Sequence, residues 1–512
     1  MQRVFVVLLF LSLILAAAAG TVLPAAAYGR FEKTVALISL PDWTLGSDQD
    51  GSMLGASVSA AGDVNGDGFA DVIIGAPKYS TIPGTKDGAA MVFHGPLKPT
   101  LTTVPKWLIP DWIMGSGVQG SEYGSSVASA GDVNFDGNDD VIVGAYDYKN
   151  GEFKVGAAYV YYGSKGEGLR EDTYDWFFEN TVKDSWFGYS VASAGDVNGD
   201  NYDDIIVGAP SYDIFENANV GAVYIFYGGP GDLCLSEQWL FTGDQSYAQL
   251  GFSVSSAGDI NHDGYDDVIV GEPYLDTIFP GDTEISSDVG AIHIFYGSVD
   301  GIDNNPQLPH ETLVGFQKIS YFGYSVNRAG HTNDDGYDDV VVGAPYFGTD
   351  YTIDGAAYIF NGGSNGLDNL PIRILRSGQH LAWFGVSVSS AGDLNNDGFD
   401  DVFIGANLYG DEKAELTDDQ RDEGRVFLYL GSQSGVISTP GPFGDGDKAD
   451  AWLGYSANGA GDVNGDGCDD VIAGAPKYMI DTVVRGTTFV YLGSESLITS
   501  YFIYLPSIIA GR

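Results

Sequence analysis

Positive charge is scarce in this chain: its 512 residues carry 23 Lys plus Arg against 70 Asp plus Glu, a formal net charge of -47. A field of that sign repels nucleic acid and anionic lipid, so neither is an expected partner, and the natural counter-partner is a cation. Cysteine is scarcer still. With only Cys234 and Cys468, no disulfide framework can hold the fold, and whether the two pair cannot be read from their spacing. The six histidines, His94, His262, His293, His310, His331 and His380, are scattered without zinc-site spacing, and no HExxH occurs, which removes the commonest zinc-protease chemistry.

Glycine is plentiful, with 72 residues, roughly twice the usual ~7% share, and Tyr and Phe number 31 and 27. This composition favours a turn-rich all-β architecture. At the N-terminus a charged start is followed by an uncharged run from Val4 and by small residues up to Ala25-Ala26-Ala27. That pattern predicts a signal peptide over 1–27 and a secreted or cell-surface-associated chain with no integral membrane span once mature. An uncleaved anchor is the alternative, because the uncharged run reaches Arg30.

The rest is periodic. Seven segments share the pattern seen in FGYSVASAGDVNGDNYDDIIVGAP at 187–210 followed by GAVYIFYG at 221–228, and their Gly-Asp landmarks begin at Gly62, Gly131, Gly195, Gly258, Gly330, Gly392 and Gly461. Spacings of 62 to 72 residues between these landmarks mean repeated supersecondary units rather than independent domains. Each unit reads as four strands: a Ser-Val inner strand, a short β-branched strand such as Val72-Ile73-Ile74, an aromatic strand such as Ala158 to Gly163, and a variable outer strand. The expected fold is all-β, a seven-bladed β-propeller of four-stranded antiparallel blades over residues 40–493, with an N-terminal segment 28–39 and a C-terminal tail 494–512. Pro41 to Ser47 (PDWTLGS) matches Pro110 to Ser116 (PDWIMGS), the outer strand of the first unit. The N-terminal copy therefore predicts the outer strand of the seventh blade; the strand-like tail Tyr501 to Ile509 is its rival.

Between the first two strands lies an acidic nine-residue loop. Oxygen side chains stand at positions 1, 3, 5 and 9 and position 7 offers its backbone carbonyl, a spacing that converges hard oxygen ligands on calcium. The loops are Asp63, Asn65, Asp67, Phe69, Asp71; Asp132, Asn134, Asp136, Asn138, Asp140; Asp196, Asn198, Asp200, Tyr202, Asp204; and Asp259, Asn261, Asp263, Tyr265, Asp267. They continue, after a fifth unit that differs, as Asp393, Asn395, Asp397, Phe399, Asp401 and Asp462, Asn464, Asp466, Cys468, Asp470. Position 6 is glycine everywhere except Asn201, the other residue that tolerates positive φ. Position 12 is apolar, so these are not helix-loop-helix sites. Turn chemistry alone would need one or two such residues, whereas six loops each repeat three carboxylates and an asparagine at the same offsets. The fifth loop has His331 at position 1, then Asn333, Asp335, Tyr337 and Asp339. Losing the first carboxylate predicts a weak or empty site there, hence about six calcium ions. Their expected role is to fasten each blade.

Phe187-Gly188 and Gly208-Ala209-Pro210, bracketing the acidic loop, resemble the FG-GAP repeat of integrin α-subunit propellers, with drifted copies such as Leu54-Gly55 and Gly271-Glu272-Pro273. The resemblance covers residues 40 to 493 and implies a seven-bladed propeller with calcium on its lower face and ligand recognition on the opposite one. Similar repeats also occur in glycosylphosphatidylinositol-specific phospholipase D and in some polysaccharide lyases, so an extracellular calcium-dependent hydrolase or lyase acting on polysaccharide or glycolipid is the alternative function. No catalytic constellation is visible. Ser57, Ser126, Ser190, Ser253, Ser325, Ser387 and Ser456 recur once per unit, which marks a structural residue and not a nucleophile. The expected function is adhesion or recognition of an extracellular protein or carbohydrate. The loops after the second strand carry the asymmetric residues Tyr146, Tyr148, Phe153, Tyr274, Phe279, Tyr346, Phe347 and Tyr351, and an acidic stretch from Asp411 to Glu423.

Overall fold

The computed structural model describes residues 41–97, 109–170, 173–214, 217–231, 239–279, 284–302, 309–349, 352–410, 422–441, 443–446, 448–480 and 482–495. The expected leader 1–27, the segment 28–39, Cys234, Tyr351, the acidic residues 411–421 and the tail Tyr501 to Ile509 lie outside these residues.

Among the described residues there is no α-helix, and seven four-stranded antiparallel sheets follow one another along the chain. Blade one runs Ser57–Gly62, Asp71–Ala76, Ala89–Phe93 and Trp112–Met114, each strand bonded to the next. Every residue of Asp71–Ala76 is buried. The strand has a neighbouring blade on each face, so both sets of alternating side chains are apolar and the run reads as continuously hydrophobic. The inner strands contact the inner strands of the blades on either side, and Ser57–Gly62 contacts Ser456–Gly461, so the ring is closed.

Seven apolar clusters fill the seven interfaces between blades. Between blades two and three, for example, Ile142, Val160 and Trp176 meet Phe187, Val207, Tyr224 and Phe226. The two glycines of the repeat motif are explained at the interfaces on the two sides of blade three, Gly188 against Ala157 of blade two and Gly208 against blade four. Gly188 N donates to the Gly208 carbonyl oxygen at 3.1 Å. The carbonyl of Gly251 in the next blade presses so closely on Gly208 that a Cβ there has no space. The motif thus sets how near two sheets can approach, and Phe187, fully buried, fills the cluster beside it.

Closure follows the sequence expectation. Trp43–Gly46 pairs antiparallel with Thr487–Tyr491, Trp43 opposite Val490 and Gly46 opposite Thr487, and completes blade seven after Ser456–Gly461 and Asp470–Ala475. Thr487–Tyr491 also pairs with Asp470–Ala475, so both of its edges are occupied and the tail has no free edge there. Trp43 is buried and meets Phe93 of blade one edge-on, ring centroids 5.5 Å apart. The recurrent serines bridge inner strands, as where Val127 N donates to Ser57 Oγ and Val191 N to Ser126 Oγ, at 3.0 and 3.1 Å. That is the structural role expected of a residue repeated in every blade.

Candidate functional site

The acidic loops join the inner strand to the second strand, so all seven lie at one end of the ring. The chain reverses through positive φ at position 6, with Gly68 at 91° and Asn201 at 69°. Asparagine therefore does glycine's work in the third loop. In the first loop Asp67 N and Gly68 N donate to the two oxygens of Asp63 at 3.0 and 2.9 Å, and Phe69 N donates to Asp67 Oδ1 at 3.0 Å. Position 9 is buried in every loop. Asp71 Oδ2 accepts from Val64 N at 3.0 Å, and its Oδ1 accepts from Gly95 N, at the end of the third strand, at 2.8 Å. This aspartate therefore pins the loop to two strands of its own blade whatever else it does.

Burial pushes Asp71 up to about 7, against the two backbone N–H bonds and with the Asp67 and Asp63 charges adding to the rise. Burial likewise takes Asp140, Asp204, Asp267 and Asp401 to about 8. A carboxyl group held there by desolvation and like charges is one whose ionisation a nearby cation favours. The position-3 asparagines add to this. The Oδ1 atoms of Asn65, Asn134, Asn261 and Asn395 are buried without a hydrogen-bond partner, a costly state that a metal ion would relieve. Among the described residues no three His, Cys, Asp or Glu side chains gather closely enough to form a metal centre by themselves. The donor set still fits a hard divalent cation: buried amide oxygens, carboxylates at positions 1 and 5, and no nitrogen or thiolate that would favour a softer metal. Cys468, at position 7 of the last loop, is buried, and only its backbone carbonyl belongs to this donor set.

The fifth loop is wired differently. His331 Nδ1 donates to the Tyr337 carbonyl oxygen at 3.1 Å, Asn333 Nδ2 donates to Asp339 Oδ2 at 3.1 Å, and the Thr332 hydroxyl bonds the same carboxylate oxygen. What sets this loop apart is that a histidine N–H takes the position-7 carbonyl and a hydroxyl takes the position-9 carboxylate, oxygens that belong to the cation donor set in the other loops.

Position 8 carries contacts that the sequence analysis did not assign. Asp63 N donates to Asp139 Oδ2 of the next blade at 2.7 Å, and Asp132 N does the same to Asp203 at 2.8 Å. The contact recurs from Asp196 N to Asp266, Asp259 N to Asp338, His331 N to Asp400 and Asp393 N to Asp469, at 2.8 to 3.0 Å. The available signal was that position 8 is aspartate in six loops and Ala70 in the other.

The opposite end of the ring holds aromatics. Strand ends place Tyr189, Phe252 and Tyr324 just before three inner strands, while Tyr146, Tyr274 and Tyr346 follow three second strands. A chain of ring contacts runs Tyr146 to Tyr189 (5.5 Å), Tyr189 to Phe252 (5.1 Å), Phe252 to Tyr274 (5.8 Å), Tyr274 to Tyr321 (5.0 Å), Tyr321 to Tyr346 (4.6 Å) and Tyr346 to Trp383 (5.2 Å). All are partly buried. Burial pushes the Tyr274 hydroxyl up to about 12 and raises Tyr146 and Tyr189 as well, so these rings stay neutral. Tyr148 and Phe347 instead pack inward, against Phe177 and Tyr358, and Phe153 is exposed beside Lys183. Phe279 lines a groove of about 640 Å³ with Ile285, Phe316, Lys318 and Ile319.

Seven four-stranded blades in a closed ring, acidic loops at one end and aromatics at the other, define a repeat propeller of the integrin α-like class. A family model described as FG-GAP repeat matches residues 54–93, 123–161, 187–226, 250–295, 384–429 and 454–492, which are blades one to four, six and seven. The chain is an FG-GAP repeat protein. It is similar to integrin alpha-5 of Xenopus laevis, 34% identical over 232 residues, 44% of this chain and 20% of that protein. Integrin alpha-V of Gallus gallus is 34% identical over 229 residues, with 44% and 20% covered, and integrin alpha-8 of the same organism 31% over 251 residues, with 47% and 21% covered. The matches therefore span about a fifth of these relatives' length. The relatives are integrin α subunits. No helix among the described residues is long and apolar enough to cross a membrane.

Proposed function

We propose that this protein is a secreted or surface-associated propeller that recognises an extracellular protein or carbohydrate, with calcium in six loops fastening the blades that carry the recognition face. In each of these loops the side chains at positions 1, 3, 5 and 9 and the carbonyl at position 7 hold the ion, from Asp63, Asn65, Asp67, Phe69 and Asp71 in blade one to Asp462, Asn464, Asp466, Cys468 and Asp470 in blade seven. Calcium supplies the positive charge that several carboxylates in one loop require. The chain's own residues shape the loop, bury its oxygens and tie it to two strands.

The single observation that carries the recognition reading is the continuous aromatic path from Tyr146 to Trp383. Large apolar side chains lie exposed at the same end of the ring, Tyr247 at 63%, Ile278 at 53% and Ile285 at 67%. Partly buried tyrosine and tryptophan with exposed apolar neighbours is the composition of binding surfaces. The test is a protein and glycan array probed in calcium with the wild type and with a Tyr346→Ala, Trp383→Ala double variant. Binding is expected to fall by about thirtyfold in the variant, the loss of one hot spot of about 2 kcal/mol. Release of product from an arrayed polysaccharide would replace recognition by catalysis.

The fifth loop gives a gain-of-function check. His331→Asp restores the first carboxylate and releases the Tyr337 carbonyl, so the variant is expected to hold one more calcium ion per chain than the wild type, counted by atomic emission after dialysis. An unchanged count would show that Thr332 and Asn333, not the histidine, keep the loop closed to calcium.

A further inference from the structure

Asp132 stands first in the second loop, and its backbone N–H is held by a carboxylate that belongs to a different blade, Asp203, at 2.8 Å. The bond is answered by the backbone, Asp203 N to the Asp132 carbonyl oxygen at 3.2 Å. A glycine makes the contact sterically feasible: Gly131 has φ 75°, and a Cβ on it would run into the Asp203 carboxylate. Two neighbouring loops are thus clasped so that the residue beside the ninth position of one fixes the first ligand position of the loop before it. Six loops receive such a clasp. The seventh does not: the residue facing Gly461 across the seam is Ala70, which still donates its N–H to the Asp462 carbonyl oxygen at 3.2 Å but has no carboxylate to return to Asp462 N.

We propose that the eighth-position aspartates are positioning residues, each setting the first cation ligand of the preceding blade's loop, and that the loop Asp462 to Asp470, facing Ala70, is in consequence the weakest of the six cation loops. The inference rests on the calcium reading above. A charged acceptor aimed at the N–H of a ligand residue fixes that residue's φ and the direction of its carboxylate before the ion arrives, which lowers the ordering cost of binding. Where the acceptor is missing, the same ligand must be ordered by the ion itself. The weak joint falls at the interface where the N-terminal strand Trp43–Gly46 closes the ring, so falling calcium releases the seam first.

Peptide-resolved hydrogen exchange of the full chain across a calcium titration reads each loop separately. In the wild type the protection midpoint of 462–470 is expected at the highest calcium concentration of the six loops, and Ala70→Asp should lower it about tenfold without moving the others, the size a charge-assisted hydrogen bond supports. Asp203→Ala should raise the midpoint of 132–140 about tenfold while leaving its own loop, 196–204, within about twofold, and Asp203→Asn, which keeps an acceptor, should recover most of the loss. A shift confined to 196–204, equal shifts in both loops, or a seam loop indistinguishable from the rest and unmoved by Ala70→Asp would overturn the positioning role. Absence of calcium-dependent protection in every loop would overturn the calcium reading and this inference together. Calcium-dependent protection without the neighbour effect overturns this inference alone.

Discussion

Melting in excess EDTA instead of millimolar calcium is expected to lower Tm by on the order of 10 °C or more. An ion that binds only the folded chain stabilises it by about 2.7 kcal/mol when present at 100 times its dissociation constant, and six loops acting on one closed ring multiply that contribution. The effect should be large here because without the ion each loop leaves a liability inside the fold. Asp71, Asp140, Asp204 and their counterparts are fully buried, and the oxygens of Asn65, Asn134, Asn261 and Asn395 have no partner. Magnesium at the same concentration should restore little, since it demands six close octahedral ligands and gives up water reluctantly. Equal melting in EDTA and in calcium would remove the metal from the account and leave the aspartates as turn formers.

The second large effect is expected at the seam. Trp43→Ala should destabilise the protein by about 3 to 5 kcal/mol, the usual cost of emptying a buried aromatic site. Trp43 is 4% exposed and lies in the cluster that joins blade seven to blade one, with Phe93, Val72, Ile472 and Val490. It also belongs to the four-residue strand that completes blade seven from the other end of the chain. The loss should therefore appear as a lower denaturant midpoint and as faster proteolysis near the seam. Val299→Ala, at a side chain 73% exposed, is the control and should change stability by less than about 0.5 kcal/mol. If the two variants unfold alike, the N-terminal strand does not carry ring closure.

Much of this was legible in the sequence because the repeat amplifies weak local signals. One run such as Asp71–Ala76 could be strand or buried helix, but seven copies at steady spacing, each followed by an aromatic strand and a glycine, leave one reading. The duplicate PDW motifs at Pro41 and Pro110 carried the closure for the same reason. Contacts that depend on a neighbouring blade did not show. Nothing within the nine-residue loop says that Asp203 reaches back to Asp132, because the pairing spans 71 positions. Nor does the sequence say that His331, Thr332 and Asn333 satisfy Tyr337 and Asp339 among themselves. On the aromatic face the residue types were visible, but their sorting was not. Tyr146, Tyr274 and Tyr346 join one surface path, while Tyr148 and Phe347, a residue or two along the same turns, go into the interblade cores. That choice is made by which side of a short turn faces the adjacent blade, a tertiary property.

The central claim is that six acidic loops hold calcium and the fifth does not. Equilibrium dialysis of the full-length protein against buffered free calcium, with metal and protein quantified in the same sample, tests it most directly. Six ions per chain, becoming five when Asp397 is replaced by alanine, is the expected result. No bound calcium, or seven equivalent sites, would contradict it.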